Sequence, residues 1–396
     1  MRIHPSFNWK RLTPEGANYF FGYYDRCPWN RDQSLHLMLK VDQCSRLPVQ
    51  GETAEIGVVS PAGKYTPLTT TRAWCLQQGS MTLWLKHRPD CFIYNDFDPE
   101  EKRLKARIFK LGHGVVGCYE LPVYAISPDR HWGVSLNFAR IPRRGYTYAD
   151  AVLPGERHPD LDNDGLFLID LHTGAYKLLV SFRRMFDLHP VPYSLEDMYV
   201  WLNHAIFNCY SSCLLWLFRH CHNTSSPWPW STHMYTVGIN GDELLCPLPD
   251  FYWNGMISHQ IWGRSPREVL IDAKWSGKNF DYVVFDERQL PLRAQRISTG
   301  MGPMGHLVFS PDKRWMLADT YPDETGFQQL ALVNVASGNL TELGRFRHVQ
   351  PKGTTVDARC DLHPRWSPDS RSVTVDSIHD GERAIHMLEL DDVIKV

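Results

Sequence analysis

The stretch PRWSPDSRSVTVD (Pro364–Asp376) is one of three close copies of a single pattern. The other two are YAISPDRHWGVSLN (Tyr124–Asn137) and LVFSPDKRWMLAD (Leu307–Asp319). In each copy, the tripeptide S-P-D stands between two mainly apolar runs. Pro and Asp initiate tight turns, and the flanking residues alternate as half-buried strands do. Each copy therefore predicts a β-hairpin.

Weaker copies and second hairpins extend this pattern along the chain. The weaker copies are CPWNRDQSLHLML (Cys27–Leu39) and IFNCYSSCLLWLF (Ile206–Phe218). A second hairpin with a T-G or S-G turn follows two of the close copies, at Leu166–Val180 and Leu330–Gly344. Two hairpins make a four-stranded sheet of roughly 40–50 residues, which is the repeat length of a propeller blade.

This repeat predicts an all-β protein, a seven-bladed β-propeller that forms a single domain over residues 1–396. The blades are expected at about residues 18–70, 72–117, 119–180, 198–250, 255–298, 303–345 and 360–396. The alternative is a two-domain β protein with unrelated hairpins, which is less favoured because small sheets need stacked neighbours to bury their faces. A short helix is predicted from Ser194, ahead of His204, because S-L-E-D resembles a capping box.

The bulk composition excludes some partners. The chain has 42 Lys and Arg against 44 Asp and Glu, a net charge of −2, so neither nucleic acid nor a membrane is expected as a partner. The longest strongly apolar run, Cys213–Phe218, is too short to cross a bilayer, and the first residues lack a signal-peptide core. The ten Cys are scattered and do not form a dense disulfide framework. A soluble cytoplasmic protein is expected.

Three successive predicted blades begin with residues that can bind a metal. These residues are His259 in GMISHQIW, His306 in GMGPMGHLVF, and Cys360 with His363 in CDLHPRW. Each stands just before an apolar strand, where propeller residues approach the central axis. Imidazoles with a C-x-x-H pair match the ligands that Zn²⁺ prefers. The sequence therefore allows an axial zinc site, the alternative being that each residue is a hydrogen-bonded core group.

A second group of polar residues is expected near the same axis. β-Elimination from a uronate needs a cation or amide to neutralise the carboxylate, and a His or Tyr to move protons. The alternative is that the amides satisfy backbone groups at blade corners and the Arg residues lie on a solvated loop. The group comprises Gln77, Gln78, Asn95, Asn137, Arg143, Arg144, Tyr146, Tyr148, Asn203, His204 and Arg219.

Seven stretches of the chain resemble the seven-bladed propeller polysaccharide lyases, namely oligogalacturonate lyase and the propeller-type ulvan lyases. The likeness runs from about Asn18 to Leu390, and its C-terminal third is the most specific part. The stretches are Phe20–Asn30, Gln77–Trp84, Tyr124–Arg140, Leu202–Asn208, Gly255–Trp262, Gly305–Asp323 and Cys360–Arg383.

The resemblance implies roles for individual residues. His204, in N-H-A-I-F, matches the catalytic base of oligogalacturonate lyase, and Tyr146 or Tyr148 matches a tyrosine that acts as acid or base in ulvan lyases. His259, in H-x-x-W, and His363, in H-P-R-W, match metal ligands. His306 and Cys360 fit a zinc set similar to that of the ulvan lyases.

The chain also departs from the family pattern. Where oligogalacturonate lyase carries a Gln and a second His, this sequence has Ala358 and Asp361, with Cys360 between them. A thiolate favours Zn²⁺ over Mn²⁺, which is the alternative metal. The family's catalytic Arg falls near Gly165, so the carboxylate-binding cation is expected from Arg143, Arg144 or Arg219, with help from Gln77 and Asn95.

The function expected from the sequence is therefore β-elimination on a uronate-containing oligosaccharide or polysaccharide. Two alternatives stay open at this point. One is a glycan hydrolase or epimerase on the same scaffold, because function depends on the site and not on the fold. The other is a non-catalytic propeller that binds a glycan or a protein.

Overall fold

The computed structural model describes most of the chain and confirms the predicted architecture. Its strands form seven antiparallel sheets arranged as the blades of a β-propeller. The described residues are 7–85, 87–142, 145–152, 159–189, 198–222, 230–248, 258–273, 280–289, 292–302, 305–350, 353–391 and 393.

The first strand, β1 (Lys10–Arg11), precedes the first three blades, each of which has four strands. Blade 1 contains β2 (Asn18–Phe20), β3 (His36–Val41), β4 (Ala54–Val59) and β5 (Tyr65–Thr71). Blade 2 contains β6 (Leu83–Trp84), β7 (Cys91–Asp98), β8 (Arg103–Lys110) and β9 (Gly114–Tyr119). Blade 3 contains β10 (Ala125–Ile126), β11 (Trp132–Leu136), β12 (Gly165–Asp170) and β13 (Tyr176–Ser181).

Blades 4 to 7 complete the ring, and blade 4 has three strands among the described residues. Blade 4 contains β14 (Tyr199–Phe207), β15 (Cys213–Cys221) and β16 (Ser231–Gly238). Blade 5 contains β17 (Ser258–Trp262), β18 (Glu268–Ala273), β19 (Asp281–Asp286) and β20 (Ala294–Thr299). Blade 6 contains β21 (Leu307–Phe309), β22 (Trp315–Asp319), β23 (Phe327–Asn334) and β24 (Leu340–Arg347). Blade 7 contains β25 (Arg365–Trp366), β26 (Ser372–Ser377) and β27 (Ala384–Glu389).

The five predicted hairpin turns have the same geometry, including the two weaker copies. In each, the first residue donates its backbone N–H to the sixth carbonyl, and the fourth residue donates its N–H to the first carbonyl. The fourth residue is left-handed every time, which closes the turn tightly. These fourth residues are Gln33, Arg130, Ser211, Lys313 and Ser370.

The ring closes through a strand that the sequence did not reveal. Strand β1 pairs with β27, so the outer strand of blade 7 comes from the start of the chain. The Trp9 indole N–H also ties the start of the chain to blade 6, by donating to the Leu343 carbonyl of β24 at 3.0 Å. Two residues carry too little pattern to be recognised as a strand without their partner.

The helix predicted ahead of His204 is wrong where it can be checked. Residues 190–197 lie outside the described ranges, and from Tyr199 the chain is strand β14, paired with β15. Pairing across a long apolar strand overrides the local capping signal. A helix, α1 (Phe182–Leu188), instead follows β13, with Ser181 as its N-cap. None of the helices among the described residues is long and apolar enough to span a membrane.

A fully buried ion pair joins the two ends of the ring. Arg365 donates to Asp376 at 2.7 Å, and the same carboxylate accepts the backbone N–H of Phe21 at 3.3 Å. Asp376→Ala would leave the guanidinium buried without its counter-charge, which costs about 3–5 kcal/mol. We expect this loss in urea unfolding. Asp391→Ala, which breaks an exposed pair with Arg371, serves as the control and should cost about 0–1 kcal/mol. Equal losses in the two variants would contradict the expectation.

Candidate active site and metal centre on the propeller axis

Four histidines from four successive blades meet at the axis. His204 lies on β14 and His259 on β17, while His306 and His363 precede β21 and β25. The ring centroids are 6.1 Å apart for His204 and His259, 4.2 Å for His259 and His306, and 4.3 Å for His306 and His363. All four side chains are buried. We call this group the axial histidines.

Three of the axial histidines have an unusual backbone conformation. The φ angles are +54° at His204, +53° at His259 and +43° at His363. The left-handed region is rare for residues other than glycine and costs free energy. Register shifts accompany the first two, in β14 and β17, and such bulges redirect a side chain. The same strained backbone conformation recurs at equivalent places in three blades. We infer that the backbone is held in this conformation so that the imidazoles point toward the axis.

Asp319, at the end of β22, fixes the orientation of His306. Its carboxylate lies 3.1 Å from His306 Nδ1 and accepts the backbone N–H of His363 at 3.2 Å. Gly305 permits this approach, because a Cβ there would overlap the Asp319 carbonyl oxygen. A carboxylate on one imidazole nitrogen leaves the other as a ligand, as in many metal centres.

Two of the axial histidines and one neighbouring carboxylate can hold one metal ion. Ligand atoms of His306, Asp361 and His363 all lie within 4.8 Å of one another. Within the described residues, neither ring nitrogen of His363 has a hydrogen-bond partner, nor do Asp361 Oδ2 and His259 Nδ1. Buried polar atoms are rarely left in this state. The donor set of imidazoles and a carboxylate therefore fits a divalent cation.

Cys360 does not join this group, which corrects the predicted ligand set. Cys360 and Leu362 lie in apolar clusters, whereas Asp361 and His363 lie at the axis. Neighbouring residues thus point to opposite sides, as in an extended chain. Burial in these apolar surroundings raises the pKa of the Cys360 thiol to about 12. The argument that a thiolate selects Zn²⁺ therefore fails.

His204 forms the other side of the site. Its Nε2 lies 2.6 Å from the Tyr23 hydroxyl, and its backbone N–H donates to the Tyr124 hydroxyl at 2.9 Å. Burial, and then the charge of Arg219, hold the pKa of His204 well below its ordinary value. Burial also raises the pKa of Tyr23, so its hydroxyl stays protonated. A neutral imidazole can accept a proton.

The axial pocket, of about 230 Å³, brings these groups together. Arg219 enters it from β15, and Arg359 from the segment before Cys360. The Arg359 guanidinium lies 4.3 Å from the Tyr321 ring centroid and donates to Asp361 at 2.7 Å. The lining comprises Tyr23, Gln77, Gln78, Gly145, Tyr146, Asn203, His204, Arg219, Trp230, His259, His306, Tyr321, Asp357, Arg359 and Asp361.

Several predicted residues face this pocket. The Gln77 side-chain amide donates to the Arg359 carbonyl at 2.9 Å, and the Gln78 amide donates to the Tyr124 hydroxyl at 3.0 Å. Tyr146 and Asn203 also line it, and the Tyr146 hydroxyl has no hydrogen-bond partner among the described residues.

Other predicted residues lie elsewhere. Asn95 is buried between blades 2 and 3, where it donates to the Val123 carbonyl at 2.9 Å and contacts the Tyr148 hydroxyl. Tyr148 stacks on Phe138 and does not line the pocket. Asn137 caps a short helix and donates to Asp164. Asn95 and Asn137 thus take the structural alternative, in which amides satisfy backbone groups. Arg143 and Arg144 lie outside the described residues.

Sequence reasoning missed four contributors to the site. Tyr23, Asp319, Tyr321 and Arg359 were not selected, although each lies within or beside a stretch that showed the family resemblance. Tyr23 and Tyr321 stand in G-Y-Y-D and T-Y-P-D, and in both motifs an Asp follows two positions later. Tyrosines and acidic residues at strand ends are common, so only their convergence identifies them.

Comparison with known proteins supports the fold. No family model and no curated protein matches the chain. The oligogalacturonate lyase of Vibrio parahaemolyticus is similar over 100% of this chain and 98% of that chain, with a TM-score of 0.63 and 15% identity. An oligogalacturonate lyase in complex with manganese is similar over 98% and 97%, with a TM-score of 0.64 and 16% identity. The tricorn protease is similar over 96% of this chain and 34% of its own, with a TM-score of 0.54 and 10% identity. At these identities the likeness shows the propeller fold alone.

Proposed function

We propose that this protein is a lyase that cleaves a uronate-containing oligosaccharide by β-elimination in the axial pocket. One observation carries the proposal: His204 faces the same small pocket as Arg219, Arg359 and candidate metal-ligating residues. The similarity in fold to two oligogalacturonate lyases agrees with an acidic oligosaccharide as the substrate. The resemblance to ulvan lyases remains a prediction from the sequence.

Arg219 is the cation best placed to bind the substrate carboxylate. It is buried and lines the pocket, and its Nε has no hydrogen-bond partner among the described residues. Arg359 is committed to Asp361, so it shapes the pocket. A bound carboxylate would offset the charge of Arg219, which lowers the pKa of His204. Substrate binding would therefore raise the basicity of His204 when it is needed.

The reaction then follows from proton positions. His204 takes the proton from C5, the C–H electrons form the C4=C5 double bond, and the C4–O bond breaks. Tyr146 lines the pocket, and its hydroxyl, which has no hydrogen-bond partner among the described residues, donates a proton to the departing oxygen. The Tyr23 oxygen accepts the His204 Nε2–H in the 2.6 Å contact, which holds the ring and leaves the Nδ1 lone pair to take the C5 proton. General acid–base catalysis of this kind contributes roughly 10²–10⁴-fold.

A divalent cation belongs to the proposal. His306, Asp361 and His363 would hold it, with His259 beside them. When bound, the cation would withdraw charge from the substrate carboxylate and so acidify the neighbouring C–H. Imidazole suits zinc and carboxylate suits manganese, so both metals fit this set.

Incubation with a panel of uronate oligosaccharides tests the proposal. We expect the ultraviolet absorbance of a conjugated 4,5-unsaturated uronate to appear together with new reducing ends. New reducing ends without that absorbance would show a hydrolase. Binding without either change would show a non-catalytic glycan-binding propeller.

A further inference from the structure

A second cluster of histidine and cysteine lies in blade 4, away from the axial histidines. His189, His233 and Cys246 have ligand atoms within 4.8 Å of one another. The Nε2 atom of His220 lies 3.0 Å from Nε2 of His233, and the rings of His189 and His233 have centroids 4.2 Å apart. We call His189, His233 and Cys246 the edge cluster, with His220 beside it.

Four separate segments bring these residues together. His220 lies on β15 and His233 on β16, and His189 is the C-cap of α1. Cys246 follows Leu245, which exchanges two backbone hydrogen bonds with Thr236 of β16. The fold thus brings imidazoles and a thiol from distant parts of the sequence to one place.

The strand register places the edge cluster on one face of blade 4. Phe218 pairs with His233 across β15 and β16, so His220 and His233 are diagonal neighbours on one face. Arg219 points the opposite way and lines the axial pocket. The edge cluster is therefore a different site from the axial metal centre.

We propose that the edge cluster binds a second divalent cation of zinc type, which fixes the outer edge of blade 4. Imidazole nitrogen and cysteine sulfur are ligands that zinc prefers, and the edge cluster supplies three of the four positions of a tetrahedral site.

The architecture of blade 4 gives this cation a role. The other six blades have four strands, whereas blade 4 has three among the described residues. Leu245, beside Cys246, forms only an isolated bridge where a fourth strand would lie. A cation joining α1, β16 and the segment at Cys246 would tie that segment to the blade.

Cobalt substitution of the full-length protein tests this site directly. We expect Co²⁺-loaded protein to show a thiolate-to-cobalt charge-transfer band, because the edge cluster supplies a thiolate ligand and the axial group does not. Cys246→Ser should abolish the band and remove about one metal equivalent per chain. Cys360→Ser, Cys209→Ser and Asp361→Asn are matched controls that should keep the band.

Two results would overturn the inference. One is the absence of the band in cobalt-loaded wild-type protein, a result that does not depend on the folding of any variant. The other is a band that survives in Cys246→Ser but is lost in Cys360→Ser, which would return the thiolate to the axis. Neither result bears on whether the axial pocket performs elimination.

Discussion

Replacing His204 by Asn lowers kcat for uronate elimination by about 10²–10⁴-fold, because the substitution removes the proton acceptor. Asn is the chosen replacement since His204 has φ +54°, a region that Asn tolerates better than most residues. The backbone bulge should therefore survive, and the measured loss should reflect chemistry. Steady-state kinetics by ultraviolet absorbance measure the change.

The pH profile of the wild-type protein gives an independent readout. Burial and Arg219 lower the pKa of His204, so the catalytically competent neutral form persists below its ordinary value of about 6.5. The acidic limb of kcat/KM should accordingly fall below pH 6.5, with activity lost as pH decreases through the lowered pKa. His113→Ala, in an exposed turn, should leave both rate and profile unchanged. Full activity in His204→Asn would remove His204 from the mechanism.

Removing one ligand of the axial metal centre should lower kcat by a similar factor. His363 is fully buried and neither ring nitrogen has a partner among the described residues, so His363→Asn deletes a ligand from the centre of the group. A bound metal supplies several kcal/mol of stabilisation to developing charge, so we expect roughly a thousandfold loss of kcat. Elemental analysis should show the loss of the axial metal in the same variant.

Chelation provides the matching control on unmodified protein. Dialysis against a chelator should abolish activity, and Zn²⁺ or Mn²⁺ should restore it in wild type but not in His363→Asn. Metal addition should also raise the free energy of unfolding, by about 2.7 kcal/mol when free metal is 100 times its Kd. Full activity after complete metal removal would show that the carboxylate is neutralised by Arg219 and not by a cation.

The fold could be predicted because its signal is local and repeated. Each S-P-D turn is set by residues within six positions, and the same turn recurs from blade to blade. Strand β1 could not be found in this way, because two residues become a strand only through pairing with β27. The helix expected near Ser194 failed for the same reason where it overlaps β14, since pairing partners decide conformation there.

The site was partly predictable for a different reason. His204, His259, His306 and His363 stand just before or within inner strands, so the blade pattern alone directs them to the axis. Cys360 shows the limit, because the C-x-x-H spacing does not state which residue of an extended segment faces inward. Arg359 and Tyr23 reach the pocket through three-dimensional packing, for which the sequence has no periodic signal.

The central claim is that the axial pocket breaks a glycosidic bond without consuming water. Mass spectrometry of the products formed in H₂¹⁸O tests it most directly. Elimination predicts that the fragment masses sum to the mass of the substrate, that one fragment is unsaturated, and that neither carries ¹⁸O from the cleavage step. A fragment with one ¹⁸O and no unsaturation would contradict the claim and identify hydrolysis.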